Sequence, residues 1–219
     1  MRASTVWRKP GSVSVDIEGM LPSRKVSALP PRRPGTIADW LAADEDLGLE
    51  LVDGALIPKA SPSIEHGLAQ GQIVAALARP FHGRRGGPDG PGGWWIAPEV
   101  DILIVGRGRR PDLAGWRRER VATMPSARPV TLVPDWICEI VSDSNRGTDT
   151  IEKLREYYQA SVTHYWIVDQ LDRTLTVHRH NPDGYVIALR ASAAERVRAE
   201  PFDAIELHVA VLLGDDPEE

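Results

Sequence analysis

Asp135-Trp136-Ile137-Cys138-Glu139-Ile140-Val141-Ser142 reads as a strand that is apolar on both alternating faces except at Glu139. A strand of that kind is buried between two layers. An unpaired carboxylate there costs several kcal/mol, so Glu139 requires a partner such as a cation. A second acid stands upstream in Arg109-Arg110-Pro111-Asp112-Leu113-Ala114, and a lysine stands downstream at Lys153, in a predicted helix. Acid, acid and lysine on consecutive elements suggest metal-dependent phosphodiester chemistry.

The bulk of the chain narrows the classes. At 219 residues it suits one domain, or one domain with an arm, and 42% hydrophobic residues suffice for a core. The net charge of −5 argues against a globally basic polyanion binder, although a local basic groove is compatible with it. The one cysteine, Cys138, lies in the buried strand. That excludes disulfide scaffolds and cysteine zinc sites and fits a reducing cytoplasm. No apolar run approaches the roughly 18 residues of a membrane span. The basic N-terminus is followed by no apolar segment, so it is not read as a secretory signal.

Around the Glu139 strand the pattern alternates helix and strand. Residues 1–35 form a basic arm, read as a solvated leader or, less simply, as a segment touching nucleic acid. Thr36 caps a short helix reaching about Asp46, with Ile37, Trp40 and Leu41 on one face. Leu49 to Ile57 is a hairpin turning at Asp53-Gly54. Ser61-Pro62 opens a helix to about Arg79, with Leu68, Ile73, Val74 and Leu77 inward. Residues 82–93 are a Gly/Pro-rich loop. Trp94 to Val105 reads as one strand with a bulge or edge at Pro98. Residues 106–110 read as a loop, and 116–130 as charged and then irregular. A helix spans about 150–160, and strands follow at 165–168, 174–178 and 185–189. Residues 214–219 are an acidic tail. The order predicts an α/β or α+β fold with a mixed sheet and one internal crossover helix, in a single domain over 36–213.

Phosphodiester hydrolysis needs a divalent cation, hard oxygen ligands to hold it, and a positive group to stabilise charge developing on phosphorus. Asp112 and Glu139 suit the ligand role if their strands are neighbours, and Lys153 can supply the charge.

These pieces resemble the PD-(D/E)XK nuclease superfamily and, more closely, the Uma-type restriction endonucleases. The matching segments are Leu49–Gly54, Ser61–His66, Arg110–Leu113, Ile137–Ser142, Glu152–Tyr157 and Tyr165–Asp169. The resemblance implies a restriction-endonuclease-like core, a central mixed sheet flanked by helices with an N-terminal hairpin and helix. It implies that Asp112 and Glu139 bind Mg2+ (or Mn2+), that Lys153 supplies the lysine function, and that Glu50 is an additional acid at the site. It further implies DNA as substrate and a homodimer, since two sites related by a two-fold axis suit cutting of both strands. Val141 stands where the superfamily carries its lysine, the function the resemblance moves to Lys153; the chain departs from the pattern at Asp143, where a proline is expected, and in its long loop at 82–93.

Each residue also has a plain structural reading. Glu139 could belong to a buried structural ion pair, and Pro111-Asp112 could be an ordinary turn. Glu50 could be a surface residue at a strand edge. Lys153 could pair with Asp149 one turn back, worth about 0.3–0.5 kcal/mol, on a helix whose apolar stripe is Ile151, Leu154 and Tyr158. Arg107, Arg109 and Arg110 could contact phosphates or form a solvated loop. His66 could touch substrate or be a helix-surface histidine. Asp101 could pair with one of the arginines at 107–110. No Walker-type phosphate loop is present, so a nucleotide cofactor is not expected. A catalytically silent nuclease-like fold that binds DNA or protein is the main alternative. An Asp112/Glu139 glycosidase is a weaker one and leaves Lys153 unexplained.

Overall fold

The computed structural model describes residues 33–83, 90–141 and 147–216, with the side chains of 148 and 149 excepted. The arm before residue 33, the middle of the loop at 82–93, Asp143 and the end of the acidic tail therefore lie outside the described residues. The strands are β1 (Arg33–Pro34), β2 (Leu49–Val52), β3 (Ala55–Pro58), β4 (Trp94–Pro98), β5 (Ile102–Ile104), β6 (Arg107–Arg109), β7 (Leu113–Arg117), β8 (Trp136–Val141), β9 (His164–Asp169), β10 (Thr174–Asn181), β11 (Gly184–Ser192), β12 (Arg196–Val197) and β13 (Leu207–His208). The helices are α1 (Ile37–Ala42), α2 (Ile64–Phe81), α3 (Lys153–Gln159) and α4 (Val209–Leu212).

The central sheet is mixed and six-stranded, in the order β11-β10-β9-β8-β7-β4. Within this sheet, among the described residues, β8 and β9 are the pair that runs parallel, and α3 makes the crossover between them. Every residue of β8 is buried, as its apolar pattern demands. Trp136, Cys138 and Ile140 face one core with Ala69, Ile73, Leu77 and Phe81 of α2. Ile137 and Val141 face the other with Tyr157 of α3 and Tyr165. By alternation Glu139 points to that second side, beneath α3. This is the predicted α+β architecture, a mixed sheet with helices on both faces. Three tryptophans, Trp94, Trp136 and Trp166, surround Phe202 with ring centroids 4.9–5.6 Å from it, so much of the chain's tryptophan fills one core.

A second sheet, β1-β3-β2-β6-β5, carries the N-terminal hairpin. Its Asp53-Gly54 turn has φ of 49° and 73°, the double left-handed geometry expected of a two-residue hairpin.

Several boundaries differ from the sequence reading. The stretch 94–105 is two strands in different sheets, because the chain turns at Glu99, whose φ is +53°. Within the 106–110 segment Arg107–Arg109 form strand β6, because Val105 and Gly106 adopt positive φ and close a second tight hairpin, β5–β6. Helix α2 is capped by Ser63 rather than opening at Ser61-Pro62, and it leaves Leu68 exposed. Helix α1 ends at Ala42, with only Trp40 buried, and a separate 3-10 turn follows at Glu45–Leu47. Helix α3 begins after a π-helical turn at Thr148–Glu152 and buries Lys153, Glu156 and Tyr157, leaving Ile151 exposed. The predicted apolar stripe is thus rotated, because the buried polar groups of the sheet demand polar partners from the helix.

Candidate active site

The β7–β8 register pairs Leu113 with Cys138, and one further step sets Asp112 opposite Glu139. Both acids are 1% exposed, on strands that are neighbours as the metal-ligand reading required. Asp112 Oδ2 accepts from the Ile140 backbone N–H at 2.6 Å, which locks the carboxylate against β8. Its Oδ1 meets Lys59 Nζ at 2.8 Å. Burial works against its charge, but His66 and the Lys59 ammonium outweigh burial and hold Asp112 well below the usual carboxylate range.

Glu139 has the cation its burial demanded. Lys153 Nζ lies 3.0 Å from Glu139 Oε1, and the Tyr157 hydroxyl donates to the same oxygen at 2.6 Å. Burial, together with the Glu139 charge, pushes the Tyr157 phenol up, so it remains a donor. Sequence reasoning placed Lys153 on the flank of its helix beside Tyr157. In the folded chain both point inward and grip one carboxylate.

Glu50 is buried rather than an edge residue. It accepts from Arg109 Nη1 at 2.8 Å and from the Arg110 backbone N–H at 3.1 Å. Burial opposes its charge, but Lys153 and Arg109 prevail and keep it below its ordinary value. Arg109, 2% exposed, also holds Glu156 through Nε at 2.8 Å and Nη2 at 2.5 Å. It therefore braces the floor of the site rather than facing solvent. Arg107 pairs with Asp53 and, at 3.2 Å, with Glu156. Arg110 pairs with Asp101 at 2.7 Å, the structural pairing suggested for that acid.

Three contributors escaped sequence reasoning. Lys59, just past β3, donates to Glu99 Oε1 at 3.0 Å and Oε2 at 2.9 Å as well as to Asp112. Glu99, at the end of β4, is held beside Asp112 by its own backbone N–H on the Asp112 carbonyl at 3.3 Å. Gln70 of α2 clasps the two, donating to Glu99 Oε1 and to the Asp112 carbonyl at 2.9 Å each. Nothing in the local pattern marks Lys59 or Gln70, but the Pro98-Glu99 break at a strand end was a visible signal for Glu99. His66 is buried in the first turn of α2, not exposed as one plain reading had it. Its Nε2 lies 3.2 Å from Asp112 Oδ1. That contact lacks hydrogen-bond direction, and the nitrogen has no hydrogen-bond partner among the described residues. Ligand atoms of His66, Glu99 and Asp112 lie within 4.8 Å of one another, a set able to hold a metal ion.

Fold and site together set two buried acids on adjacent strands of a mixed sheet, with a lysine from the crossover helix against one of them. The family model described as "Putative restriction endonuclease", Uma2, matches residues 37–210, and the chain belongs to that family. The fold is similar to that of a solved protein from Anabaena variabilis, described as a "putative nuclease belonging to DUF820", with 18% identity and a TM-score of 0.66. The match covers 82% of this chain and 98% of that one. No curated protein matches the chain. Among the described residues no helix is long and apolar enough to cross a membrane.

Proposed function

We propose that this chain is a divalent-metal-dependent endonuclease that hydrolyses DNA phosphodiester bonds. The observation that carries the reading is the buried pair Asp112 and Glu139 on adjacent strands, with Lys153 Nζ at 3.0 Å from Glu139. Asp112 and Glu139 would hold Mg2+ or Mn2+, and the donor set fits, since both offer the hard oxygens these ions take. A bound divalent ion neutralises the scissile phosphate and lowers the pKa of a coordinated water. Lys153 orients Glu139 and would supply positive charge against the negative charge developing on phosphorus. Tyr157 donates to the same Glu139 oxygen and fixes it from a second direction. Glu50 sets the charge around Lys153 and is itself clamped by Arg109. Arg107, more open than Arg109, is the arginine of this group that would meet a phosphate. A homodimer with two sites about a two-fold axis, located in the cytoplasm, completes the proposal.

The alternative is a catalytically silent binding module. It is favoured by one observation: both oxygens of Asp112 are already engaged by the chain's own donors, Lys59 and the Ile140 N–H. Plasmid nicking in Mg2+ or Mn2+ by wild type and Asp112→Ala separates the two, with single-stranded and branched DNA tested alongside. The nuclease reading expects metal-dependent cleavage that Asp112→Ala abolishes. Absence of cleavage on every substrate by folded protein moves the assignment to the binding module.

A further inference from the structure

The contact between Lys59 and Asp112 has a second meaning. The geometry points to a divalent-metal position formed by His66 Nε2, Glu99 and Asp112, filled in the metal-free protein by the ammonium of Lys59, with a bias toward Mn2+ over Mg2+. This deepens the nuclease reading and rests on it only for the use to which the ion is put.

Four observations carry it. The three ligand atoms lie within 4.8 Å of one another, so small side-chain movements bring each within bonding reach of one ion. The imidazole is the independent mark of a ligand. The His66 side chain is only 9% exposed, and its Nε2 points at Asp112 Oδ1 from 3.2 Å with no hydrogen-bond partner among the described residues. Buried polar atoms are almost always satisfied, so a buried imidazole nitrogen whose one carboxylate contact lacks hydrogen-bond direction is oriented as a ligand into the acid cluster. The third observation is the stand-in. Lys59 Nζ spends its three hydrogens on Asp112 Oδ1, Glu99 Oε1 and Glu99 Oε2, at 2.8–3.0 Å. One cation bridging those oxygens is what a metal ion would replace. The fourth is backbone strain: Glu99 is held at φ +53°, and such a conformation in a non-glycine residue costs about 1–3 kcal/mol. The turn thus spends stability to aim a carboxylate at Asp112.

Access is available. The Glu99 side chain is 40% exposed and that of Lys59 20%, so the position opens to solvent on the side from which the ammonium can swing away. A lysine at the end of a strand is a flexible tether, and its displacement requires no backbone change. The ion preference follows from ligand chemistry. Mg2+ is served by oxygen donors alone, whereas first-row transition ions gain from an imidazole nitrogen.

The experiment is Mn2+ binding to the full chain, read from the loss of the free-ion electron-paramagnetic signal, with Mg2+ affinity measured by competition. DNA is left out. Wild type is expected to prefer Mn2+. Lys59→Met removes the competitor and should tighten both ions by about 10-fold. His66→Ala should weaken Mn2+ by about 10–100-fold, on the scale of metal-site substitutions, and should change Mg2+ far less. Glu99→Gln should weaken both ions. Because Glu99 is half-exposed, that variant folds even if the histidine variant does not, and His66→Gln gives a second test at that position. Mn2+ affinity indifferent to His66 and Glu99, or no tightening in Lys59→Met, overturns the proposal. A chain that cleaves DNA but shows this indifference keeps the nuclease reading and loses the proposal. A chain that binds Mn2+ through His66 and cleaves nothing does the reverse.

Discussion

Tyr157 and Lys153 meet on a single oxygen of Glu139, the first donating at 2.6 Å and the second standing 3.0 Å away. They lie one helical turn apart on α3, so one face of a short helix neutralises a carboxylate that β8 carries into the core. This couples the stability of the crossover helix to the charge at the site.

Lys153→Met should therefore cost stability as well as activity. Removing one member of a buried ion pair costs about 3–5 kcal/mol. With Tyr157 still donating, about 3 kcal/mol is expected, read as a shift in the urea midpoint. The double variant Lys153→Met/Glu139→Gln should be less destabilised than the two single effects added together, since the uncompensated charge is gone. Additive effects would show that the pair is not coupled.

Asp112 makes the fold sensitive to acid. Its folded-state pKa is depressed, so its ionised form contributes stability that is present above the unfolded value, about 3.9, and lost as pH falls through the lower folded value. Asp112→Asn should be less stable than wild type at pH 7. The gap should begin to close near pH 4 and shrink further below it. Urea unfolding of both proteins across that range checks the sign; a gap that widens in acid contradicts the reading.

Gly108 offers a test independent of the chemistry. A Cβ there would lie 2.6–2.7 Å from ring carbons of the buried Trp40, whose Nε1 is tied to the Leu49 carbonyl. Gly108→Ala should destabilise the protein by about 1–3 kcal/mol, as overpacking does. It should also shift β6, which carries Arg107 and Arg109, and so loosen the Arg109–Glu50 clamp. Differential scanning calorimetry gives the first effect. The second would appear as a further loss in the cleavage assay beyond that explained by unfolding.

Legibility in the sequence followed the range of the interactions. The Asp53-Gly54 turn was readable because its two left-handed residues are a local requirement. The burial of β8 was readable because an unbroken apolar run admits few other placements. The pairing of Asp101 with an arginine of 107–110 was readable because one hairpin joins them. By contrast, the division of 94–105 between two sheets depends on a backbone reversal at Glu99 that its side chain does not announce. The rotation of α3 depends on what the sheet presents to it. Ile151, Leu154 and Tyr158 form a plausible apolar stripe in isolation, yet the folded helix turns Lys153, Glu156 and Tyr157 inward to meet Glu139 and Arg109.

What the sequence by itself determined is that Glu139 sits in a buried strand and must have a cationic partner, because desolvation of a carboxylate is severe wherever that strand is placed. It also determined the set of acids and the lysine in their order along the chain. Tertiary structure alone decided that Lys59, Glu99 and His66 gather on Asp112, and that Arg109 closes on Glu50. Those contacts join residues far apart in the chain, and they depend on strand register and helix docking, which a short-range pattern of residues does not encode.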